Sequence, residues 1–183
     1  GGADSSCTSP EKLYAKTSAV FQDYMRYGGL TLRENVEISD ILHKKDAETF
    51  MKQTGCSESL LESDKMDSLM GREFDGLELS GGQWQRIAMA RGLYRDSNFI
   101  LLDEPTAAID PLEESRIYKM FASVAKDKTC VLVTHRLGSA MIADRIIVMD
   151  AGHIVETGTH EELLQKKGLY HEMWTSAAEQ YVC

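Results

Sequence analysis

Two short apolar runs in the second half of the chain predict buried strands. One runs from Phe99 to Leu102 and leads into Asp103 and Glu104, and the other runs from Thr129 to Thr134 and ends at His135. Unbroken apolar runs of this length are typical of parallel strands that are covered on both faces. Ligands bind at the carboxyl ends of such strands, so the polar residues that follow each run are candidates for a site.

A helix with one apolar face is predicted between these two strands. Asp110 suits the N-cap, and Pro111 suits the first helical position. The apolar residues that follow have the i, i+3, i+4, i+7 spacing of one helix face: Ile117, Met120, Phe121 and Val124. The strand–helix–strand order predicts a right-handed parallel crossover.

The first half of the chain is predicted to be mainly helical. Residues 17–22 suggest a short strand and a loop, whereas residues 33–70 are rich in Glu, Asp, Lys, Met and Leu and suggest several short helices. A longer helix is predicted from about Gly82 to Arg95. One side of that helix should carry Ile87, Ala90, Arg91 and Tyr94.

The end of the chain predicts a hairpin and a final helix. Residues 145–150 and 153–156 have strand patterns and flank a tight-turn signal at Ala151-Gly152. Thr159 and Glu162 have the spacing of a capping box that opens a helix. The predicted fold class is therefore α/β, with a helical insert followed by a parallel-sheet core.

Composition and charge narrow the range of partners. The net charge of −9, from 29 acidic and 20 basic residues, argues against nucleic acid, which requires a basic surface. The four cysteines are widely separated and lack paired spacing, which favours free thiols in a reducing compartment. Without a membrane-length apolar run or a visible signal peptide, the chain is predicted to be cytoplasmic, or to reach the membrane only through a transmembrane domain.

The segment Leu79-Ser80-Gly81-Gly82-Gln83 directly precedes the longer predicted helix. Two glycines allow close approach of the backbone to a ligand, and free amides at a helix start favour an anion such as phosphate. The same residues also suit an ordinary loop with a helix cap. Taken alone, the segment leaves both interpretations open.

Five polar residues have similarly divided interpretations. Asp103 and Glu104 suit a Mg²⁺ ligand beside a residue that orients or deprotonates water, but they also suit a turn where a strand meets solvent. For the other three, the ordinary interpretation is favoured when each is considered alone: surface polarity for Gln22, helix capping for Asp110, and surface or capping for His135.

The ordered set of motifs resembles the ATP-binding cassette (ABC) ATPases. Residues 79–83 are identical to the signature motif of that family, and residues 98–105 resemble its Walker B strand. In that strand Asp103 matches the metal-associated aspartate and Glu104 the catalytic glutamate. The remaining matches are Gln22 with the Q-loop glutamine, residues 106–110 with the D-loop, His135 with the switch histidine, and residues 158–164 with the usual C-terminal stretch.

The resemblance implies ATP and Mg²⁺ as ligands of a P-loop NTPase-like parallel-sheet core. Asp103 would hold Mg²⁺ largely through water, and Gln22 would sense the metal and the attacking water. Glu104 would act as general base, and His135 would contact the γ-phosphate.

The resemblance also implies two protein partners. One is a second nucleotide-binding domain, identical or different, paired head to tail; the other is a transmembrane domain. Asp110 would link the two ATP sites across this dimer. Residues 133–137 and 143–148 look most like exporter-type transporters. The residues expected to contact the partner's nucleotide are Ser80, Gly81, Gly82 and Gln83.

One family motif is missing. The phosphate-binding loop (P-loop), Gly-x-x-x-x-Gly-Lys-Ser/Thr, should precede the Q-loop, yet no Gly-Lys pair occurs in the 183 residues. Only 21 residues precede Gln22, too few for that loop, its helix and the next strand. We therefore expect a chain that begins within a domain, exposes sheet edge and core surface, and is inactive alone.

The expected division is a helical subdomain over about residues 33–80 and a partial α/β core formed by residues 1–32 and 81–183. The parent is predicted to hydrolyse ATP and to couple this reaction to transport. Two alternatives remain: a non-catalytic module that supplies the signature motif to a partner, and a non-transport ABC ATPase of DNA repair or translation. The presence of Glu104 and His135 counts against a module that lost its catalytic activity long ago. The excess of acidic over basic residues counts against the ATPase of DNA repair or translation.

Overall fold

A computed structural model describes residues 7–106, 111–124 and 128–180. The helices are Pro10–Ala15 (α1), Leu32–Glu37 (α2), Ala47–Gln53 (α3), Ser63–Met66 (α4), Gly81–Tyr94 (α5), Pro111–Val124 (α6), Leu137–Ala140 (α7), His160–Lys166 (α8) and Leu169–Gln180 (α9). The strands are Thr17–Val20 (β1), Phe99–Asp103 (β2), Thr129–Val133 (β3), Ile146–Asp150 (β4) and His153–Gly158 (β5). The predicted α/β class is confirmed.

The first compact unit, residues 1–133, contains a parallel sheet with the strand order β1-β2-β3. Val20 pairs with Leu102, and Asp103 pairs with Val133, so the three strands end at a common edge. The parallel pairing predicted from the strand–helix–strand order is confirmed. Asp103 and Glu104 therefore lie at the end of the central strand, β2, between the ends of β1 and β3.

The prediction that both faces of the strands are covered is wrong for β3. Cys130 and Leu132 pack against the core that contains Ile117 and Phe121 of α6, whereas Val131 and Val133 are 40% and 48% exposed. An apolar run shows what a strand is able to bury, but not which elements cover it. Among the described residues, the outer face of β3 is open.

Helix α5 is buried on two sides, whereas the sequence analysis described only the side that carries Ile87, Ala90, Arg91 and Tyr94. Ile87, Ala90 and Tyr94 pack in one core with the short helices α2, α3 and α4. Met89 and Leu93, on another face, pack in a second core with the sheet and α6. The several short helices predicted over residues 33–70 are confirmed, and α5 joins their core to the sheet.

A close approach between α5 and β1 requires a glycine. A Cβ atom built on Gly92 would lie 2.5 Å from Val20 Cγ2, too close for any side chain. The Ser18 hydroxyl donates a hydrogen bond of 2.6 Å to the Gly92 carbonyl oxygen at the same crossing. Residue 92 thus sets the spacing between the helix and the strand that leads to Gln22.

The second compact unit comprises residues 134–183. Its β4 and β5 strands pair antiparallel, as the predicted hairpin required. The predicted capping box of α8 is also confirmed, because Thr159 and Glu162 exchange both hydrogen bonds. The core of this unit consists of Ile146, Val148, Leu163 and Tyr170.

Candidate functional site

The segment Ser80-Gly81-Gly82-Gln83 forms the N-terminus of α5. Ser80 is the N-cap: its Oγ accepts from the Gln83 amide at 3.3 Å, and its own amide donates to Gln83 Oε1 at 2.8 Å. Gly81 and Gly82 follow as the first two helical residues, whose amides have no partner within a helix. No hydrogen bond joins either amide to another described residue. The capping box therefore leaves two adjacent donors directed out of the helix end.

A ligand has access to these amides. Gly81 is exposed and Gly82 is half-buried, so neither lies in a packed interior. A Cβ atom built on Gly81 would meet no atom within 4 Å. Free amides, the positive end of a 14-residue helix and open space together make a site suited to an anion.

The two adjacent carboxylates leave the central strand at its carboxyl end. Asp103 is the last residue of β2, and Glu104 follows with a left-handed φ of 45°. The Glu104 amide donates to the Val133 carbonyl oxygen of β3 at 3.0 Å, which holds this conformation. A left-handed conformation costs a residue other than glycine about 1 kcal/mol or more, and such strain concentrates at functional sites.

The chain just beyond Glu104 is fixed to α6 by a buried cluster that the sequence analysis missed. The Thr106 hydroxyl donates to Glu114 Oε1 at 2.9 Å and lies 2.9 Å from the Tyr118 hydroxyl. Thr106 and Tyr118 are 1% and 3% exposed. This cluster restrains the peptide that follows the carboxylates, although no local pattern signals it.

The structure brings the Q-loop candidate to the same sheet edge. Gln22 is exposed in a bend two residues after β1, and β1 ends beside Leu102. His135 is exposed and belongs to the second unit. Asp110 lies outside the described residues. The roles of Gln22, His135 and Asp110 in a common site remain predictions.

Two residues that had no predicted role in the site join the segment after Gln22 to α5. The Tyr24 hydroxyl donates to the Gly81 carbonyl oxygen at 2.7 Å. Arg91 donates from Nη1 to the Met25 carbonyl oxygen at 3.0 Å, and its guanidinium carbon lies 4.6 Å from the centre of the Tyr27 ring. The sequence analysis placed Arg91 on the same side of α5 as Ile87 and Tyr94, which is the one signal that it would meet acceptors there.

Arg91 is half-buried, and no carboxylate is among the hydrogen-bond partners of its guanidinium in the part of the chain that the structure describes. Its Nε donates to the Asn35 carbonyl oxygen at 2.7 Å, and its Nη2 donates to Asn35 Oδ1 at 3.2 Å. Burial lowers the pKa of Arg91 below its ordinary value. The three carbonyl-type acceptors and the Tyr27 ring replace the water that the guanidinium loses.

We expect Arg91→Ala to destabilise the chain by about 2–4 kcal/mol, because it leaves buried acceptors unpaired and opens a cavity. Urea unfolding followed by circular dichroism measures the change. The control is Arg116→Ala, which removes an arginine whose side chain is 80% exposed and paired with Glu113. The control should change the free energy of unfolding by less than about 0.5 kcal/mol. Equal effects of the two substitutions would contradict the role of Arg91.

Comparisons with known proteins identify the class of this chain. Residues 2–107 match the family model described as ABC transporter. The chain is 44% identical over 161 residues to the subtilin transport ATP-binding protein of Bacillus subtilis, covering 85% of this chain and 26% of that protein. It is 38% identical over 166 residues to an ATP-dependent lipid A-core flippase of Alcanivorax borkumensis, covering 88% of this chain and 27% of the flippase.

A solved structure agrees with these matches. A bacterial Atm1-family ABC exporter with ATP bound superimposes with a TM-score of 0.85 at 31% identity, covering 97% of this chain and 31% of the exporter. The chain belongs to the ABC transporter family, whose ATPase domains bind and hydrolyse ATP. It spans between a quarter and a third of the length of these relatives. Within the described residues, no helix has the length and apolar character needed to cross a membrane.

Proposed function

We propose that this chain is part of an exporter ATPase in which ATP hydrolysis drives transport across a membrane. The observation that carries the proposal is the N-terminus of α5. There, a sequence identical to the family signature motif presents two amides without acceptors to open space. The names of two relatives, a subtilin transport protein and a lipid A-core flippase, support transport, and the similar solved structure, named an exporter, supports its direction.

The residues at the sheet edge fit Mg²⁺ and a hydrolytic water. Asp103 offers a half-buried carboxylate at the end of β2, and Gln22 offers an amide oxygen after the neighbouring β1. Oxygen ligands of this kind suit Mg²⁺, which neutralises the charge that develops on the phosphates when it is bound. Glu104 is the general base for water, and His135 is the contact for the γ-phosphate.

A second nucleotide-binding domain completes the site in this proposal. The two domains pair head to tail. In this arrangement the partner's P-loop holds an ATP molecule, which is contacted by Ser80, Gly81, Gly82 and Gln83. Asp110 links the two sites. Residues 33–80 form the helical subdomain, and residues 1–32 and 81–183 belong to the core. A transmembrane domain is the partner to which ATP hydrolysis is coupled. This places the chain at the cytoplasmic face of a membrane.

A chimera tests the proposal. We would join the P-loop-bearing segment of a complete family member to the start of this chain and measure binding of a fluorescent ATP analogue with Mg²⁺. The chimera should bind the analogue with micromolar affinity, whereas the chain alone should show no saturable high-affinity binding, because it has no P-loop lysine or cradle. A folded chimera that fails to bind would contradict the assignment of this chain to the ATP site.

A second candidate is a module that supplies only the signature motif to a complete partner. The amides of Gly81 and Gly82 at the start of α5 suit this role, because it needs only the signature half of an ATP site. Adding the chain to a complete domain whose own signature serine is changed to arginine separates the candidates. Restored turnover in that mixture requires the chain to act in trans.

A further inference from the structure

We propose that Tyr24 is a positioning residue for the Gly81–Gly82 loop, and that its hydroxyl orients the amide that meets the nucleotide phosphate. This inference rests on the proposed function, because it assumes that the loop binds phosphate. It adds a residue outside the signature motif whose hydroxyl acts on the motif's backbone.

The argument begins with one peptide plane. The Tyr24 hydroxyl donates to the Gly81 carbonyl oxygen at 2.7 Å. That carbonyl and the Gly82 N–H belong to the same planar trans peptide, so they point in opposite directions. A hydrogen bond that holds the carbonyl therefore also sets the direction of the Gly82 amide, which has no acceptor among the described residues.

Outside the helix itself, few side chains surround the Gly81–Gly82 peptide. Glycine has more backbone freedom than any other residue, and the position where Gly81 would carry a Cβ atom has no neighbouring atom within 4 Å. The capping box restrains the Ser80 and Gln83 amides, and the peptide between the two glycines, in the first turn of α5, has no side-chain partner in that box. The Tyr24 bond restrains that peptide from the side of the helix.

Tyr24 is itself held in place, which is necessary if it is to position another group. Its ring packs partly buried against the core of short helices, and the guanidinium carbon of Arg26 lies 5.6 Å from the ring centre. The next residue, Met25, accepts a hydrogen bond of 3.0 Å from Arg91 of α5. The segment after Gln22 and the signature loop are thus joined at two points along one helix.

The test uses the full 183-residue chain labelled with ¹⁵N-glycine and inorganic triphosphate as the probe. Two-dimensional NMR follows the Gly81 and Gly82 amides, assigned by the loss of one resonance in each single alanine variant. In the wild type, triphosphate should shift both resonances. In Tyr24→Phe, triphosphate should bind about three- to tenfold more weakly, the loss expected for one hydrogen bond, and the resonances that move in the free chain should be those of Gly81 and Gly82. Tyr14→Phe is the matched control, because Tyr14 is 67% exposed and lies in α1.

The outcomes separate this inference from the proposed function. If the wild-type amides respond and Tyr24→Phe binds triphosphate like the wild type, the positioning role is overturned while the phosphate site stands. If the wild-type amides do not respond, the phosphate site and the inference both fail. A general loss of structure would move many glycine resonances and the thermal midpoint, whereas the positioning role predicts changes confined to Gly81 and Gly82.

Discussion

Changing Glu104 to glutamine is expected to lower the ATP turnover of the P-loop chimera by about a hundredfold or more. Glutamine keeps the size of the side chain and some of its hydrogen bonds, but it does not accept a proton from water. General-base catalysis contributes about 10²- to 10⁴-fold to such reactions. The left-handed φ of 45° at Glu104 places this carboxylate just beyond the end of the central strand.

Steady-state release of phosphate measures the effect, and binding of the fluorescent analogue shows that the ATP site remains. The matched control is Glu48→Gln, which alters a glutamate of α3 that pairs with Lys52. Turnover equal in Glu104→Gln and in the control would contradict the role of Glu104. The chain without the added P-loop should show no turnover, and turnover there that disappears in Glu104→Gln would reveal a phosphate cradle elsewhere.

Changing Gly81 to aspartate is expected to abolish turnover of the same chimera while sparing its fold. The new carboxylate would lie beside the two free amides and repel the γ-phosphate of the partner's ATP. Losing one such stabilising contact lowers the rate about 10²- to 10³-fold, and a repelling charge adds to the loss. The fold should tolerate the change, because a Cβ atom at this position meets no atom within 4 Å.

Two measurements and a control variant separate this effect from unfolding. The free energy of unfolding in urea should change by about 1 kcal/mol at most, as expected for an aspartate in the first turn of a helix. Gly138→Asp is the stability control, since Gly138 lies in a helix, α7, and also has open space around its Cβ position. Analogue binding should persist, because the P-loop side of the site is on the other subunit. Full turnover by a folded Gly81→Asp chimera would contradict the role of the loop.

The local features of this chain were predictable because each depends on residues close together in sequence. The Ser80–Gln83 loop and the Thr159–Glu162 capping box depend on side chains and amides three residues apart. The strand from Phe99 to Asp103 depends on a run of apolar residues that also fixes where its carboxylates emerge. The ordered motifs then identified the family, and the comparisons confirmed that resemblance.

Long-range contacts were not predictable in the same way. The hydroxyl of Tyr24 reaches Gly81 across 57 positions, and Arg91 reaches Asn35 across 56. Neither residue lies in a pattern that names its partner. The exposure of Val131 and Val133 also differed from the prediction, because covering a strand depends on elements that its own residues do not specify.

By itself, the sequence determined the class of fold, the positions of most strands and helices, and the residue types at the candidate site, since backbone propensity and capping act within a few residues. Only the tertiary structure decided which glycine amides remain without acceptors, which side chains hold the loop and which strand face stays open. Those features depend on how α5 packs between two cores and brings distant segments within hydrogen-bond distance.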